Sequence, residues 1–343
     1  MKTKPVVYIL IVAAAALILA MCFSPWAGDS GNLTLVWGSR ERAWEPASLG
    51  DDLSTFEYTV TLKGPGGTIE ETFTGVPSAT FDVISGTWNV TIKGTRTVTA
   101  AGVGPAPGDY FIMGIEQIEV KAGQKSTEQV TMYNAYEITA WSDFNYINTN
   151  YPNATLPTTR PLIFLITNDL EASTKVKITS SGGLNREWFL VSEKNVTIEK
   201  ATGFNDIFFE IGPYATYPVH LGKPGMIGTI TFDNKGQSTS SDLILIMSPA
   251  TLEMYDGITI KGGNFNTSIG AAVHLNNACS GDAQFIMHGG TISGNVVNGP
   301  APQKGGGVYI DLSNVTGEPH NFIKNGGTIS GNLPKDISNL NDY

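Results

Sequence analysis

Gly289-Gly290-Thr291-Ile292-Ser293-Gly294-Asn295 returns, residue for residue, as Gly326-Gly327-Thr328-Ile329-Ser330-Gly331-Asn332. The two copies stand 37 residues apart. Identity at a fixed offset means one backbone geometry is built more than once, which is how stacked coils are encoded. The likeness spreads outward: Phe285-Ile286-Met287-His288 precedes the first copy and Phe322-Ile323-Lys324-Asn325 the second.

A looser copy lies upstream, with Leu252 to Ile260 followed by Gly262-Gly263-Asn264. Between copies, Gly270-Ala271-Ala272-Val273-His274-Leu275 parallels Gly305-Gly306-Gly307-Val308-Tyr309-Ile310. Each period therefore holds about three short strands separated by Gly/Asn corners, the make-up of a right-handed parallel β-helix. One coil alone has nothing to bury its inward residues against. Coils stacked about 4.8 Å apart form a continuous apolar column. In that column Ile260, Ile292 and Ile329 are expected one above another, and Asn264, Asn295 and Asn332 are expected to stack at one corner as an amide ladder. Gly289, Gly290, Gly326 and Gly327 mark the preceding turn. At 33–37 residues per coil, residues 161–343 have room for about five. This portion resembles the pectin-lyase-like β-helix proteins, in particular the Gly-Gly-Thr-Ile-Ser-Gly-Asn repeat proteins of host-associated bacteria.

Residues 53–135 follow a different rule. Phe56, Tyr58, Val60 and Leu62 alternate with Glu57, Thr59 and Thr61, and Gly64-Pro65-Gly66-Gly67 supplies a turn. Short alternating strands punctuated by Gly and Pro predict an antiparallel β-sandwich. The run Gly86-Thr87-Trp88-Asn89-Val90-Thr91-Ile92, with Ala122-Gly123-Gln124 beyond it, resembles the transthyretin-like or carboxypeptidase-regulatory-like modules of bacterial surface proteins. Such a resemblance implies a spacer or platform. Residues 136–160, interrupted by Pro152 and Pro157, read as a junction with a cap over the first coil. Residues 23–52 read as a tether, although Leu33-Thr34-Leu35-Val36-Trp37 also suits a first strand. The expected fold class is thus all-β, with an N-terminal antiparallel sandwich followed by a right-handed parallel β-helix.

At the N-terminus Lys2 and Lys4 precede an unbroken apolar run from Val6 to Met21. That length is short for a spanning helix and suits the apolar region of a signal peptide. Leu19-Ala20-Met21-Cys22 resembles the lipobox of bacterial lipoproteins, with Met21 standing where a small residue is usual. The resemblance implies a leader over 1–22, lipid on Cys22 and a membrane partner through that lipid. Cleavage by the general signal peptidase, or an uncleaved anchor, are the alternatives, and all three export the remainder. Cys22 and Cys279 are the two cysteines, so a lipid-bearing Cys22 leaves no disulfide or zinc framework.

Composition narrows the partners. The formal net charge is −10, which repels nucleic acid, so no nucleic-acid partner is expected. The pectin-lyase-like resemblance raises polysaccharide cleavage, which in such lyases needs a basic residue beside acidic calcium ligands. The last arginine is Arg186, ahead of the well-repeated coils. Hydrolases of the fold converge several aspartates, whereas Asp233, Asp256, Asp282 and Asp311 occupy different coil positions. Glycosidase chemistry requires two carboxyl groups facing one bond. His274 and His288 have no carboxylate at ligand spacing and read as strand residues. No catalytic residue, metal or cofactor is therefore expected. The expected role is an exported, lipid-anchored cell-envelope protein, at the surface or in the periplasm. Its β-helix would act as a structural or adhesive scaffold for glycans or for host or envelope proteins, with loop 298–304 as a contact surface. The alternative is a carbohydrate-active lyase or hydrolase, with Asp256 or Lys261 as residues to test.

Overall fold

The computed structural model describes residues 30–37, 56–97, 109–150, 161–179, 184–213, 215, 217–276, 283–311 and 322–339. The expected leader with Cys22, most of the expected tether, residues 151–160 of the junction, Cys279 and Asp282 lie outside the described residues.

Seven strands build the N-terminal layers: β1 (Ser30–Val36), β2 (Glu57–Gly64), β3 (Gly67–Thr74), β4 (Ser78–Ile84), β5 (Gly86–Thr97), β6 (Asp109–Val120) and β7 (Lys125–Gln129). β3, β2, β5 and β6 pair antiparallel in that order. The facing sheet runs β4-β1-β7, with β1 antiparallel to β4 and parallel to β7. Alternation sends Leu33 and Leu35 of β1 inward against Tyr58, Val60, Leu62, Phe81, Trp88 and Val90, all buried. The Leu33–Trp37 burst, placed within the expected tether 23–52, is therefore the central strand of a sheet. Its alternating apolar residues have a core to enter, and no solvated tether would bury them.

β8 (Tyr133–Ile138) changes the relation between the two parts. It pairs antiparallel with β6 and parallel with β9 (Leu162–Ile166). One sheet thus runs unbroken through eleven strands from β3 to the far end of the β-helix. The expected boundary at 135/136 falls inside β8, because the strand ladder takes no notice of the composition change. The seam is also packed from above. Lys223 Nζ donates to Ile115 O at 2.5 Å, Lys63 Nζ reaches Ile227 O at 3.4 Å, and Met113, Ile115, Phe189 and Met226 share one apolar cluster. Gly225 has φ +89, and a Cβ there would sit 2.3 Å from Glu116 O, so the loop meets β6 backbone to backbone.

From β9 onward all pairing is parallel, in three walls. The first holds β9, β12 (Trp188–Val191), β15 (Val219–Leu221), β19 (Thr251–Met254), β23 (Gln284–Met287) and β27 (Phe322–Lys324). The second holds β10 (Leu170–Ala172), β13 (Asn195–Lys200), β16 (Thr229–Asp233), β20 (Ile258–Lys261), β24 (Thr291–Ser293) and β28 (Thr328–Ser330). The third holds β11 (Val176–Ile178), β14 (Phe209–Ile211), β18 (Ile244–Met247), β22 (Ile269–Asn276), β26 (Lys304–Asp311) and β29 (Lys335–Asn339). A narrow strip of β17 (Ser238–Thr239), β21 (Asn264–Phe265) and β25 (Val296–Val297) lines one corner. The protein is an all-β chain that includes a parallel β-helix.

Each wall has six strands, one more than the expected number of coils. Register partners Leu162, Trp188, Val219, Leu252, Phe285 and Phe322 are separated by 26, 31, 33, 33 and 37 residues. Coils lengthen along the chain, so a fixed period undercounts the early ones. Leu170, Ile198, Phe232, Ile260, Ile292 and Ile329 form one register column, buried except for the half-buried Ile329.

The first coil is closed by helix α1 (Ser142–Asn150), whose Trp141 flank, Phe144 and Ile147 enter the same apolar cluster as Phe164 and Trp188. Asp143 Oδ2 accepts the backbone N–H groups of Thr139 and Ala140, both at 2.9 Å, fixing the helix start. Asn148 Nδ2 donates to Lys177 O at 2.8 Å on the outer edge of β11. The helix therefore covers an edge that would otherwise invite pairing. Alternation along β13 turns Lys200 inward with Val196 and Ile198; it is 1% exposed, with Nζ at 5.4 Å from the Phe208 ring and 5.6 Å from the Phe204 ring and no hydrogen-bond partner on the protein.

Candidate functional site

The heptapeptide residues serve the corner after the second wall. Gly290 and Gly327 have φ of +84 and +74, Gly294 and Gly331 of +64 and +67, a backbone that L side chains rarely adopt. Asn295 and Asn332 are buried, and Asn295 Nδ2 donates to Asn332 Oδ1 at 2.8 Å. Asn264 does not join them. Its Cα partner is Val296, so the counterpart of Asn295 in that coil is Gly263, whose N–H donates to Asn295 Oδ1 at 2.9 Å. The backbone keeps count from Ile260, and the Asn264 match appears only if one residue is skipped. A Cβ on Gly263 would lie 2.9 Å from Asn295 Oδ1 and 2.6 Å from the Phe265 ring, so the ladder's first position is necessarily a glycine. Asn264 instead accepts from Asn298 Nδ2 at 2.8 Å on the outside. At the other end Asp336 Oδ1 takes the place of a further amide, accepting from Asn332 Nδ2 and Asn332 N–H, each at 2.9 Å. This corner holds the coils together and presents no reactive group.

The outer face of the first wall carries a denser polar group. Glu187, His220, Glu253, His288 and Asn325 come from five successive coils and lie side by side. Parallel register places His220 beside Phe189 and Glu253, and Tyr255 follows β19 directly. His220 is buried and stacks on Phe189 at 4.3 Å. Its ring nitrogens lie 3.3 Å from Glu187 Oε1 and 3.6 Å from Glu253 Oε2. Glu253 Oε2 also accepts from Tyr255 Oη at 2.7 Å and lies 3.1 Å from His288 Nε2. The His220 imidazole leads in holding the Glu253 carboxyl down to about 2; burial opposes ionisation, and the Tyr255 hydroxyl and His288 add to the lowering. Burial, then the Glu253 carboxylate, pushes the Tyr255 phenol up, so it stays protonated as a donor.

An ionised carboxylate only accepts, so in the neutral ring His288 Nε2 carries the proton and Nδ1 is left to accept from Asn325 Nδ2 at 3.4 Å. The His288 ring, 35% exposed, stacks on Tyr255 at 4.8 Å. What reaches solvent is a ledge of ring edges, an amide and carboxylates, preset by register. Its solvent-facing groups can both donate and accept hydrogen bonds. Among the described residues no group of three or more His, Cys, Asp or Glu has an arrangement that could hold a metal ion.

Both histidines that read as plain strand residues have carboxylate partners in the preceding coil. His274 Nδ1 donates to Asp242 Oδ2 at 2.8 Å, while Asp242 Oδ1 accepts from Ala271 N–H at 2.8 Å. Burial works to lower the His274 pKa, but the charge and hydrogen bond of Asp242, with Asp311 assisting, raise it on balance. The signal that finds these partners is one coil length: Glu187, His220, Glu253, His288 and Asn325 follow one another at 33, 33, 35 and 37 residues. Of the residues singled out for chemistry, Asp256 Oδ1 accepts from Gly290 N–H at 3.2 Å and Lys261 pairs with Asp233 at 3.2 Å. Each is committed to a neighbouring coil, and the two are not brought together. Loop 298–304 is tied down by Gln303 Nε2 donating to Gly299 O at 2.8 Å and carries no ionisable cluster.

No protein-family model matches this chain, and no curated protein or solved structure matches it significantly. No helix among the described residues is long and apolar enough to cross a membrane.

Proposed function

We propose that this is an exported protein held at the cell envelope through lipid on Cys22, whose β-helix serves as a non-catalytic binding scaffold in the manner of pectin-lyase-like repeat proteins. The ledge from Glu187 to Asn325 supports the binding role, because five coils place amide, imidazole and carboxylate groups in a row, with hydrogen bonds orienting Glu253, His288 and Asn325. A hydroxyl-rich glycan lying along the wall meets that row one sugar after another, and the ring edges of Tyr255 and His288 give it apolar support. The eleven-stranded sheet suits the same role by mounting the wall rigidly on the sandwich.

Two measurements test this. Mass spectrometry of the native N-terminus is expected to find acylated Cys22; an unmodified mature terminus removes the anchor. Arrays of immobilised glycans and matrix proteins are expected to retain the mature chain and to lose it when His288 and Asn325 are both changed to Ala. Blank arrays for the unmodified chain argue for a purely structural role. The enzymatic reading is favoured by one observation, the half-exposed His288 oriented by Glu253. Product release from polyuronides, abolished by His288→Ala, would establish it in place of the scaffold.

A further inference from the structure

Acceptors outnumber donors on the outer ledge. His288 Nε2 and the Tyr255 hydroxyl both donate to Glu253 Oε2, at 3.1 and 2.7 Å, and His288 Nδ1 accepts from Asn325 Nδ2 at 3.4 Å. With the ring neutral, these bonds use the donors of Tyr255 and His288 and leave one hydrogen on Asn325 Nδ2. No protein donor among the described residues reaches Glu253 Oε1, Glu187 Oε2 or Asn325 Oδ1.

Charge leans the same way. The Glu187 and Glu253 side chains are 35% and 19% exposed, and their ion-pair partners among the described residues are the imidazoles of His220 and His288. No ammonium serves them: Lys223 Nζ is turned to Ile115 O, and Lys324 of the last coil takes the inward register position of Met287. His220 is 5% exposed and wedged between the two carboxylates. Its ring nitrogens lie 3.3 Å from Glu187 Oε1 and 3.6 Å from Glu253 Oε2, yet neither makes a hydrogen bond. Misaligned contacts of that kind do not use up a carboxylate's acceptor sites.

We propose that the ledge selects a glycan whose sugars carry free amines, with ammonium groups seated on the outward oxygens of Glu187 and Glu253. This deepens the glycan-binding reading and rests on it. An ammonium brings three donors and no acceptor, which matches the surplus. Its charge-assisted bonds to carboxylate are also stronger than those between neutral groups. An N-acetylated sugar offers a neutral amide in its place, and a uronate meets two carboxylates of its own sign.

Three immobilised polymers test this: poly-N-acetylglucosamine, the same polymer de-N-acetylated, and polygalacturonate, each offered the mature chain at pH 7. The de-N-acetylated polymer is expected to bind about a hundredfold more tightly than the N-acetylated one, about tenfold for each charge-assisted bond. Glu187→Gln should remove about tenfold of that preference, and adding Glu253→Gln should remove the rest. Glu70→Gln with Glu71→Gln takes the same charge from the exposed edge strand β3, which controls for the general attraction of an acidic protein to a polycation. That pair should change binding by less than about twofold. Equal binding to the two glucosamine polymers, or tighter binding to polygalacturonate, overturns the amine selectivity and leaves the glycan reading standing. So does an amine preference that Glu187→Gln leaves intact, or that the β3 pair lowers as much. Blank results on all three polymers remove both.

Discussion

Replacing Lys200 with Met should make this protein more stable at neutral pH. The ammonium lies inside the coil column with two phenylalanine rings beside it and no hydrogen-bond partner. Burial holds its pKa down to about 8 against an ordinary 10.5, with Asp206 and Asp242 partly countering. At 1.36 kcal/mol per pH unit that gap amounts to about 3 kcal/mol. The sign follows from proton counting. Between about 8 and 10.5 the unfolded chain binds the proton and the folded chain does not, so stability rises with pH across that window and the full cost is present below 8. Met keeps the aliphatic length and removes the charge, at the loss of about 1 kcal/mol of attraction to the Phe204 and Phe208 rings. The net expectation is a gain of about 2 kcal/mol at pH 7 that shrinks towards zero by pH 10.5. Paired urea titrations of the two chains at pH 7, 8.5 and 10 read the difference directly, and titrations common to both cancel. A wild type at least as stable as Lys200→Met at pH 7, or a difference that does not change with pH, would refute the reasoning.

Three further outcomes are expected. Asn295→Ala leaves the buried Gly263 N–H without its acceptor and should cost about 3 kcal/mol by chemical denaturation, while Asn264→Ala, on the outside, should cost less than about 1 kcal/mol. Ile292→Ala, fully buried in the column, should cost about 3–4 kcal/mol and the half-buried Ile329→Ala roughly half as much; equal costs would mean that the two share one environment. Glu253 has a lowered pKa, so its contribution is complete above 4.5 and is lost as pH falls towards 2; the stability difference between wild type and Glu253→Gln should close over that range.

Register separates what could be read from the chain and what could not. The Ile292 and Ile329 column is legible because both copies of the heptapeptide keep the same count from the preceding turn. Asn264 misleads because a one-residue skip is invisible in an alignment of short motifs, yet it turns a side chain from the corner to the outside. The sixth coil is hidden because early coils are shorter, and with them goes the fixed offset that reveals a repeat. His288 and Glu253 show the same limit: 35 residues of separation carry no chemical signal until the coil length is known.

By itself the sequence determined the β class, the stacked second half and the glycines of its corners, since alternation and positive-φ turns are local properties written in consecutive residues. Tertiary structure decided three things: that Leu33–Trp37 is a central strand, that one sheet runs through both parts, and that Glu187, His220, Glu253, His288 and Asn325 share a ledge. Each depends on which distant backbones pair. Pairing is settled by the burial of whole faces, which no short stretch of residues encodes.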